Sequence, residues 1–334
     1  MINTKKKNKM NKQCLCNFFI LILLATTLSS CNRKEEAITI GIGTWPGFCS
    51  AMVGQEKGFF DEKIKIRHLI LDEENARYAA FRSGSLDVMM SSLDVFAMET
   101  VQDIDAEILL ITDESWGSDG IVAKNEIGLI TDLQGKNIAF ARATPSQFLL
   151  YNLLLNNDIA FDKIRPTIVS DPTFAAQAFL SGSVDAAVTW EPFLSEIAEQ
   201  RQGKILATSI DVPNVIVDIL VCNKNFAQKP ELVKAFVDGW LKSVDYIREN
   251  PDEAKIIIAK GLNVAEENID GMMAGLKFAN KQTNIDFFRT QKINTILESA
   301  FTFWQTQGII DKNAHLKEDV INETSLKYFS SEEK

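Results

Sequence analysis

Apolar and polar residues alternate along Ile38-Thr39-Ile40-Gly41-Ile42, a period-two pattern that predicts a strand. The strand empties into the turn-rich Gly43-Thr44-Trp45-Pro46-Gly47, and a helix is expected over 51–57, with Ser50 able to cap it and Gly58 ending it. A strand, a loop and a helix of the same kind are predicted at 137–140, 141–145 and 146–156. Downstream, the match runs residue by residue. Ala80-Phe81-Arg82-Ser83-Gly84-Ser85-Leu86-Asp87-Val88 recurs as Ala178-Phe179-Leu180-Ser181-Gly182-Ser183-Val184-Asp185-Ala186, an offset of 98 residues. In each copy an amphipathic helix stops at glycine, and an aspartate precedes an apolar strand, at 88–90 or 186–188. Two copies predict paired α/β lobes facing a cleft, each of roughly 90–100 residues with ligand-facing loops at its strand ends. A solenoid needs three or more stacked copies.

Beyond Val221 the period changes to a helical one. Helices are expected at Pro230–Glu249, at 252–260 and onward to about Gln307, and the helical spacing of Phe236, Trp240, Phe301, Phe303 and Trp304 predicts core positions. The first 30 residues carry five lysines and no acid, then an apolar run from Phe18 to Ala25 and the sequence Leu28-Ser29-Ser30-Cys31. That is the layout of an export signal, and the uninterrupted apolar run is far below the ~20 residues a spanning helix requires. The Leu-Ser-Ser-Cys end resembles a bacterial lipobox, so Cys31 is expected to be acylated and to begin the mature chain. A short polar tether, 31–36, would follow.

Composition narrows the function classes. The 334 residues are 46% hydrophobic and 24% charged, as in globular proteins, and the length predicts about two domains. The formal net charge is −10; without residues 1–30 it becomes −15, which argues against nucleic acid as a partner. Gly41, Gly43 and Gly47 do not have the spacing of a dinucleotide fingerprint. His68 and His315 have no ligand-like neighbours, so neither a metal nor a cofactor is expected. After the signal region and Cys31, only Cys49 and Cys222 remain, and sequence alone leaves them free or paired.

Several motifs in order carry a resemblance: Trp45-Pro46-Gly47-Phe48, Glu56-Lys57-Gly58-Phe59-Phe60, the repeat corner around Gly84 and Asp87, Leu133-Gln134-Gly135-Lys136, Asp185-Ala186-Ala187-Val188-Thr189-Trp190-Glu191-Pro192 and Val217-Asp218-Ile219-Leu220-Val221. With them the chain resembles the nitrate/sulfonate/taurine and thiamine-pyrimidine (NMT1-like) substrate-binding proteins of ABC transporters. The resemblance implies the two-lobed type II periplasmic-binding-protein fold, each lobe a mixed sheet flanked by helices, with C-terminal helices. Lobe I would be discontinuous, 37–124 and 217–265, lobe II would be 125–216, and 266–334 would pack on both. Hinge segments are expected near 123–127 and 214–218. The implied partners are a small solute, an ABC permease with its ATPase, and a membrane through the N-terminal lipid. The protein is expected to be a monomer in the cell envelope.

Ligand-binding residues should lie where strands end. Trp45, Asp94, Asp119, Trp190, Glu191 and Asp218 meet that condition. Thr144 and Ser146 flank Pro145 at a predicted helix N-terminus suited to an anion, with Arg142 beside them. The cleft carboxylates disfavour a purely anionic ligand and suit an aminosulfonate or aminopyrimidine type. The rival reading is an enzyme of the same fold, such as a pyrimidine-precursor synthase, which would call for a cysteine-rich segment and useful histidines.

Overall fold

The computed structural model describes residues 36–62, 64–102 and 104–331. The export signal and Cys31 lie outside the described residues. Among those described, no helix is long and apolar enough to cross a membrane.

The first sheet contains β1 (Glu36–Ile42), β2 (Ile64–Ile70), β3 (Val88–Ser92), β4 (Ala106–Ser115), β10 (Val217–Asn223) and β11 (Leu276–Phe278), ordered β11-β4-β10-β3-β1-β2. The second contains β5 (Asp119–Ala123), β6 (Asn137–Ala141), β7 (Arg165–Val169), β8 (Ala186–Trp190) and β9 (Lys204–Thr208), ordered β7-β6-β8-β5-β9. Each mixed sheet is flanked by helices: α1 (Ser50–Lys57), α2 (Glu74–Arg82) and α3 (Leu93–Glu99) follow β1 to β3, whereas α4 (Pro145–Leu155), α5 (Pro172–Leu180) and α6 (Phe193–Glu199) follow β6 to β8. Central strands covered on both sides read as continuous apolar runs, and all five residues of β3 are buried.

The 98-residue repeat is physical. Ile40 and Gly41 of β1 pair in parallel with Val88 and Met89, and Ile138 and Ala139 of β6 pair likewise with Ala186 and Ala187. Asp87 accepts from the Thr39 N–H at 2.9 Å, and Asp185 accepts from the Asn137 N–H at 3.0 Å. The serine pairs also repeat, Ser83 with Ser85 at 2.9 Å and Ser181 with Ser183 at 2.8 Å. Gly84 and Gly182 turn each corner at φ of 75° and 76°, where a side chain would be strained. The antiparallel partner of each second strand comes from elsewhere in the chain. β10 lies beside β3 with Asp218 opposite Ser92, and β5 lies beside β8 with Asp119 opposite Trp190, so Asp218 and Asp119 occupy equivalent positions.

Because β5 pairs with β8 and β9, the chain first passes between sheets at 116–118, upstream of the expected 123–127, and it returns within 209–216. The passages lie side by side: the Ser115 N–H donates to the Ile216 carbonyl at 3.1 Å, and the Gly117 N–H donates to Ser209 Oγ at 2.8 Å.

After β10 come α7 (Lys224–Ala227), α8 (Pro230–Glu249), α9 (Pro251–Leu262), α10 (Glu266–Ala274), α11 (Lys281–Arg289), α12 (Lys292–Thr306) and α13 (Glu323–Ser330). β11 interrupts what the pattern predicts as wholly helical. Its three residues are too few for a period to register, and they are extended because they pair with β4. The aromatics expected in the core are there: Trp240 and Trp304 are fully buried, and Phe236, Phe301 and Phe303 are buried beside them. Tyr151 of α4 stacks on Phe303 of α12 at 4.2 Å, and the Trp304 indole N–H donates to the Asp94 carbonyl at 2.7 Å, so α12 ties α4 to α3.

Two local expectations differ from the structure. Ser50 is the first residue of α1 rather than its cap, because a 3₁₀ turn, Pro46–Cys49, leads directly into the helix. Thr144 does occupy the N-cap position of α4, but its hydroxyl donates back to the Ala141 carbonyl at 2.9 Å instead of accepting from the first turn.

Candidate ligand-binding cleft

β10 runs antiparallel to both β3 and β4, so its first residues lie beside the C-terminal ends of those strands. The register places Asp218 opposite Ser92 on one side and Asp113 on the other. Asp94 follows on the first turn of α3, with Glu74 on α2. From the second sheet, Asp119 pairs with Trp190 across β5 and β8, and the Glu191 N–H donates to the Ser118 carbonyl at 2.8 Å. Trp45, at the end of the loop after β1, reaches Trp190 across the gap between the sheets, with ring centroids 6.4 Å apart and planes inclined by 37°. Six carboxyl groups and two indoles thus converge where the two sheets face each other.

The strand-end residues expected from sequence are mostly brought together here: Trp45, Asp94, Asp119, Trp190, Glu191 and Asp218. Thr144 and Ser146 stand at the N-terminus of α4, with no hydrogen bond joining them to the cluster among the described residues, and Arg142 is exposed. Sequence reasoning missed Asp113 and Glu74. Asp113 closes the apolar run Ile108-Leu109-Leu110-Ile111-Thr112, and a lone acid ending such a strand was a usable signal. Glu74 lies on an otherwise ordinary polar helix start.

The carboxyls differ in how they are satisfied. Asp113 is fully buried; it accepts from the Thr112 hydroxyl at 2.9 Å and from the Trp45 indole N–H at 3.3 Å. A Cβ at position 47 would overlap Asp113 Oδ2, which is why the Trp45-Pro46-Gly47 turn ends in glycine. Burial raises the Asp113 pKa to about 7, with the Asp119 charge adding to the shift. Burial and then the Asp113 charge raise Asp218 well above the usual carboxylate range, so this adjacent pair holds a proton at neutral pH. Asp119 accepts from the Ser115 hydroxyl at 2.7 Å and is raised by burial, then by Glu191, to about 6. Asp94 is completely buried, neither of its carboxyl oxygens makes a hydrogen bond of acceptable geometry, and burial raises it to about 7. Both Glu191 oxygens are engaged: Ser195 donates through its hydroxyl at 2.8 Å and its N–H at 3.1 Å, so Glu191 also holds the start of α6.

Among the described residues, the cation ion-paired with this cluster is Arg77. Arg77 lies 3.8 Å from Glu74, but its guanidinium also donates to the carbonyls of Leu71, Asp72 and Met90. No group of three or more acids, histidines or cysteines among the described residues is arranged to hold a metal ion. Cys49 and Cys222 are free and buried, and burial pushes both thiols above their ordinary range. His68, on the edge strand β2, is lowered by burial to about 4.

Known proteins share this arrangement of elements. A Bacillus subtilis (strain 168) protein named as an aliphatic sulfonates-binding protein is 25% identical over 326 residues, 92% of this chain and 95% of its own. The crystal structure of the periplasmic aliphatic sulphonate binding protein of Escherichia coli matches with a TM-score of 0.72 at 18% identity, covering 87% of this chain and 99% of that one. The alkanesulfonate-binding protein of Xanthomonas axonopodis pv. citri, bound to MOPS, matches with a TM-score of 0.66 at 15% identity over 84% and 96% of the two chains. These structures establish the fold as that of a periplasmic binding protein. The family model described as NMT1/THI5 like matches residues 45–254, from Trp45 of the cleft past Asp218, and so encloses all eight converging residues: the chain belongs to the NMT1/THI5-like family.

Proposed function

We propose that the chain is the substrate-binding component of an ABC importer, capturing a small polar solute between its two sheets and presenting it to a permease and its ATPase outside the cytoplasm. The observation that carries this reading is the Trp45–Trp190 contact across the gap, set among inward carboxyls; the adjacent Cys49 thiol donates to the Trp45 carbonyl at 3.4 Å and burial holds it protonated. The two sheets are the lobes: the first built on 37–115 and 217–223, the second on 119–208, with the C-terminal segment packed on both. Trp45, Asp94, Asp119, Trp190, Glu191 and Asp218 are the ligand residues of this reading, joined by Asp113, while Thr144 and Ser146 offer α4 N–H groups to an acidic portion of the solute. With the ring centroids 6.4 Å apart the lobes stand nearly closed in this structure; in this reading the empty protein in solution opens wider at 116–118 and 209–216 and closes to about 7 Å, twice a van der Waals contact, around a flat group stacked on both indoles.

The synthase reading lacks its chemistry. A nucleophilic thiol must ionise near neutral pH, and burial keeps Cys49 and Cys222 protonated. His68, held neutral on an edge strand away from the cluster, is no general base for it. In this reading the protein is a monomer held at a membrane surface by lipid on Cys31, and Cys31→Ala abolishes lipid labelling.

Small-angle scattering of the full chain with a solute extract of the source cells tests the capture. The radius of gyration falls on binding, and mass spectrometry recovers the solute unchanged. A solute recovered chemically altered refutes the reading.

A further inference from the structure

The six carboxyls of the cleft face one partial counter-charge, and that imbalance names a ligand class. By element, the charged groups around the gap are Glu74 and Arg77 on α2, Asp94 on α3, Asp113 on β4, Asp119 on β5, Glu191 before α6 and Asp218 on β10. The ion pair that reaches this set among the described residues is Glu74–Arg77. Arg77 is committed to three backbone carbonyls besides. A second observation points to a missing donor. Asp94 is wholly buried, and neither its carboxyl oxygens nor the buried hydroxyl of Ser92, on the register row of Asp218 and Asp113, makes a hydrogen bond of good geometry; the donors near Asp94 are that hydroxyl and the first N–H groups of its own helix, too few and too poorly aligned to offset its burial. Buried acceptors are ordinarily satisfied, so such a set marks where a ligand's N–H groups belong. The absence of any three-ligand arrangement among the described residues directs the site to an organic cation rather than a metal ion.

Resting on the importer reading, we infer that the solute carries an organic cation, an ammonium or amidinium group, which Asp94, Asp113 and Asp218 receive beneath the Trp45–Trp190 pair. A sulfonate placed there would meet like charge, whereas a protonated amine supplies up to three donors to acceptors that lack them. The indole faces add attraction for the same charge. Entry of the cation displaces the proton that Asp113 and Asp218 share, so capture releases a proton to solvent.

The test is a thermal-shift and calorimetric panel on the full chain near pH 7.5, setting 4-(aminomethyl)pyrimidine, agmatine and putrescine against ethanesulfonate and nitrate. At least one amine is expected to raise the melting midpoint, and neither anion. Calorimetry in two buffers of different ionisation heat is expected to register proton release with that amine. Asp113→Asn with Asp218→Asn should weaken the amine about 10- to 100-fold, as loss of charge-assisted contacts does, and the wild-type buffer comparison stands if this variant misfolds. A midpoint raised by ethanesulfonate or nitrate and by none of the amines overturns the inference while the importer reading stands. Amine binding without proton release overturns the displacement at Asp113 and Asp218. If no probe binds and the cell extract leaves the radius of gyration unchanged, the importer reading falls with it.

Discussion

Replacing Asp94 with asparagine separates the cost of a buried charge from every other contribution to stability. In the folded chain the Asp94 carboxyl keeps its proton to about pH 7, against an ordinary value of 3.8 in an unfolded chain. A folded pKa raised in this way gives stability that is fully present below pH 3.8 and lost as the pH rises through 7. At 1.36 kcal/mol per pH unit, the loss for a single site comes to ~2–3 kcal/mol between pH 5 and pH 8 and on the order of 4 kcal/mol in all. The asparagine side chain does not titrate. Its buried amide costs about 1–3 kcal/mol, but that penalty is the same at every pH and drops out when wild type and variant are compared across pH. Urea unfolding of unliganded protein at pH 5, 6, 7 and 8 should therefore show Asp94→Asn gaining on wild type with each step. A wild-type-minus-variant difference that stays flat within about 0.5 kcal/mol over this range would refute the view that Asp94 is an acid whose burial outweighs the donors around it.

Three further outcomes follow from named contacts. Gly47→Ala sets a Cβ against Asp113 Oδ2, and because Thr112 and Trp45 fix that carboxyl the substitution should cost roughly 1–3 kcal/mol in urea melts and weaken the solute as well; an unchanged midpoint would contradict the packing. Trp190→Ala removes the ring facing Trp45 and should weaken a captured solute roughly 10- to 150-fold by calorimetry, with near-native circular dichroism. Asp87→Ala and Asp185→Ala each delete the bond to the backbone N–H of the repeat's first strand and should destabilise by about 1–3 kcal/mol while leaving affinity unaltered; Asp185 should cost slightly more because it also pairs with Lys124 at 2.7 Å.

The parts of this protein set by local rules were legible in its sequence. The corner Ser-Gly-Ser with its following aspartate is readable because the turn demands glycine at positive φ and the aspartate acts on a neighbouring strand in a fixed register. The placement of Trp45, Trp190 and Asp218 at the gap was legible for a related reason: the two tryptophans follow apolar runs and Asp218 opens one, and those ends of the strands face the gap. What could not be read depends on pairing between distant segments. β11 is extended because β4 offers it an edge, and β5 belongs to the second sheet because β8 and β9 bracket it, although its apolar residues would suit either sheet. Asp113 and Glu74 become cleft residues when β10 sets its first residues against the ends of β3 and β4. The caps misled in a different way. Ser50 and Thr144 have suitable side chains at helix starts, but the preceding 3₁₀ turn and the Ala141 carbonyl compete for the same role.

The repeat also isolates what the two lobes do differently. Asp218 and Asp119 hold equivalent places, each on the antiparallel strand beside the second strand of its own sheet, so a symmetric device would treat them alike. In the second sheet a serine hydroxyl answers Asp119, and the residue opposite it is Trp190. In the first sheet another carboxyl, Asp113, adjoins Asp218, the residue opposite is Ser92, and Asp94 follows without a hydrogen bond of good geometry. Carboxyls short of donors are therefore concentrated on the first lobe beside Trp45, whereas the second brings Asp119 with its serine donor and the facing ring of Trp190. The carboxyls of both lobes attract a cation at long range, and those of the first lobe gain most from its donors once it has entered. The second lobe contributes Trp190, whose attraction is short-ranged and is felt when the gap has nearly closed. On this division of labour, charge governs capture and ring contact governs closure, so the order of events follows from the ranges of the two forces.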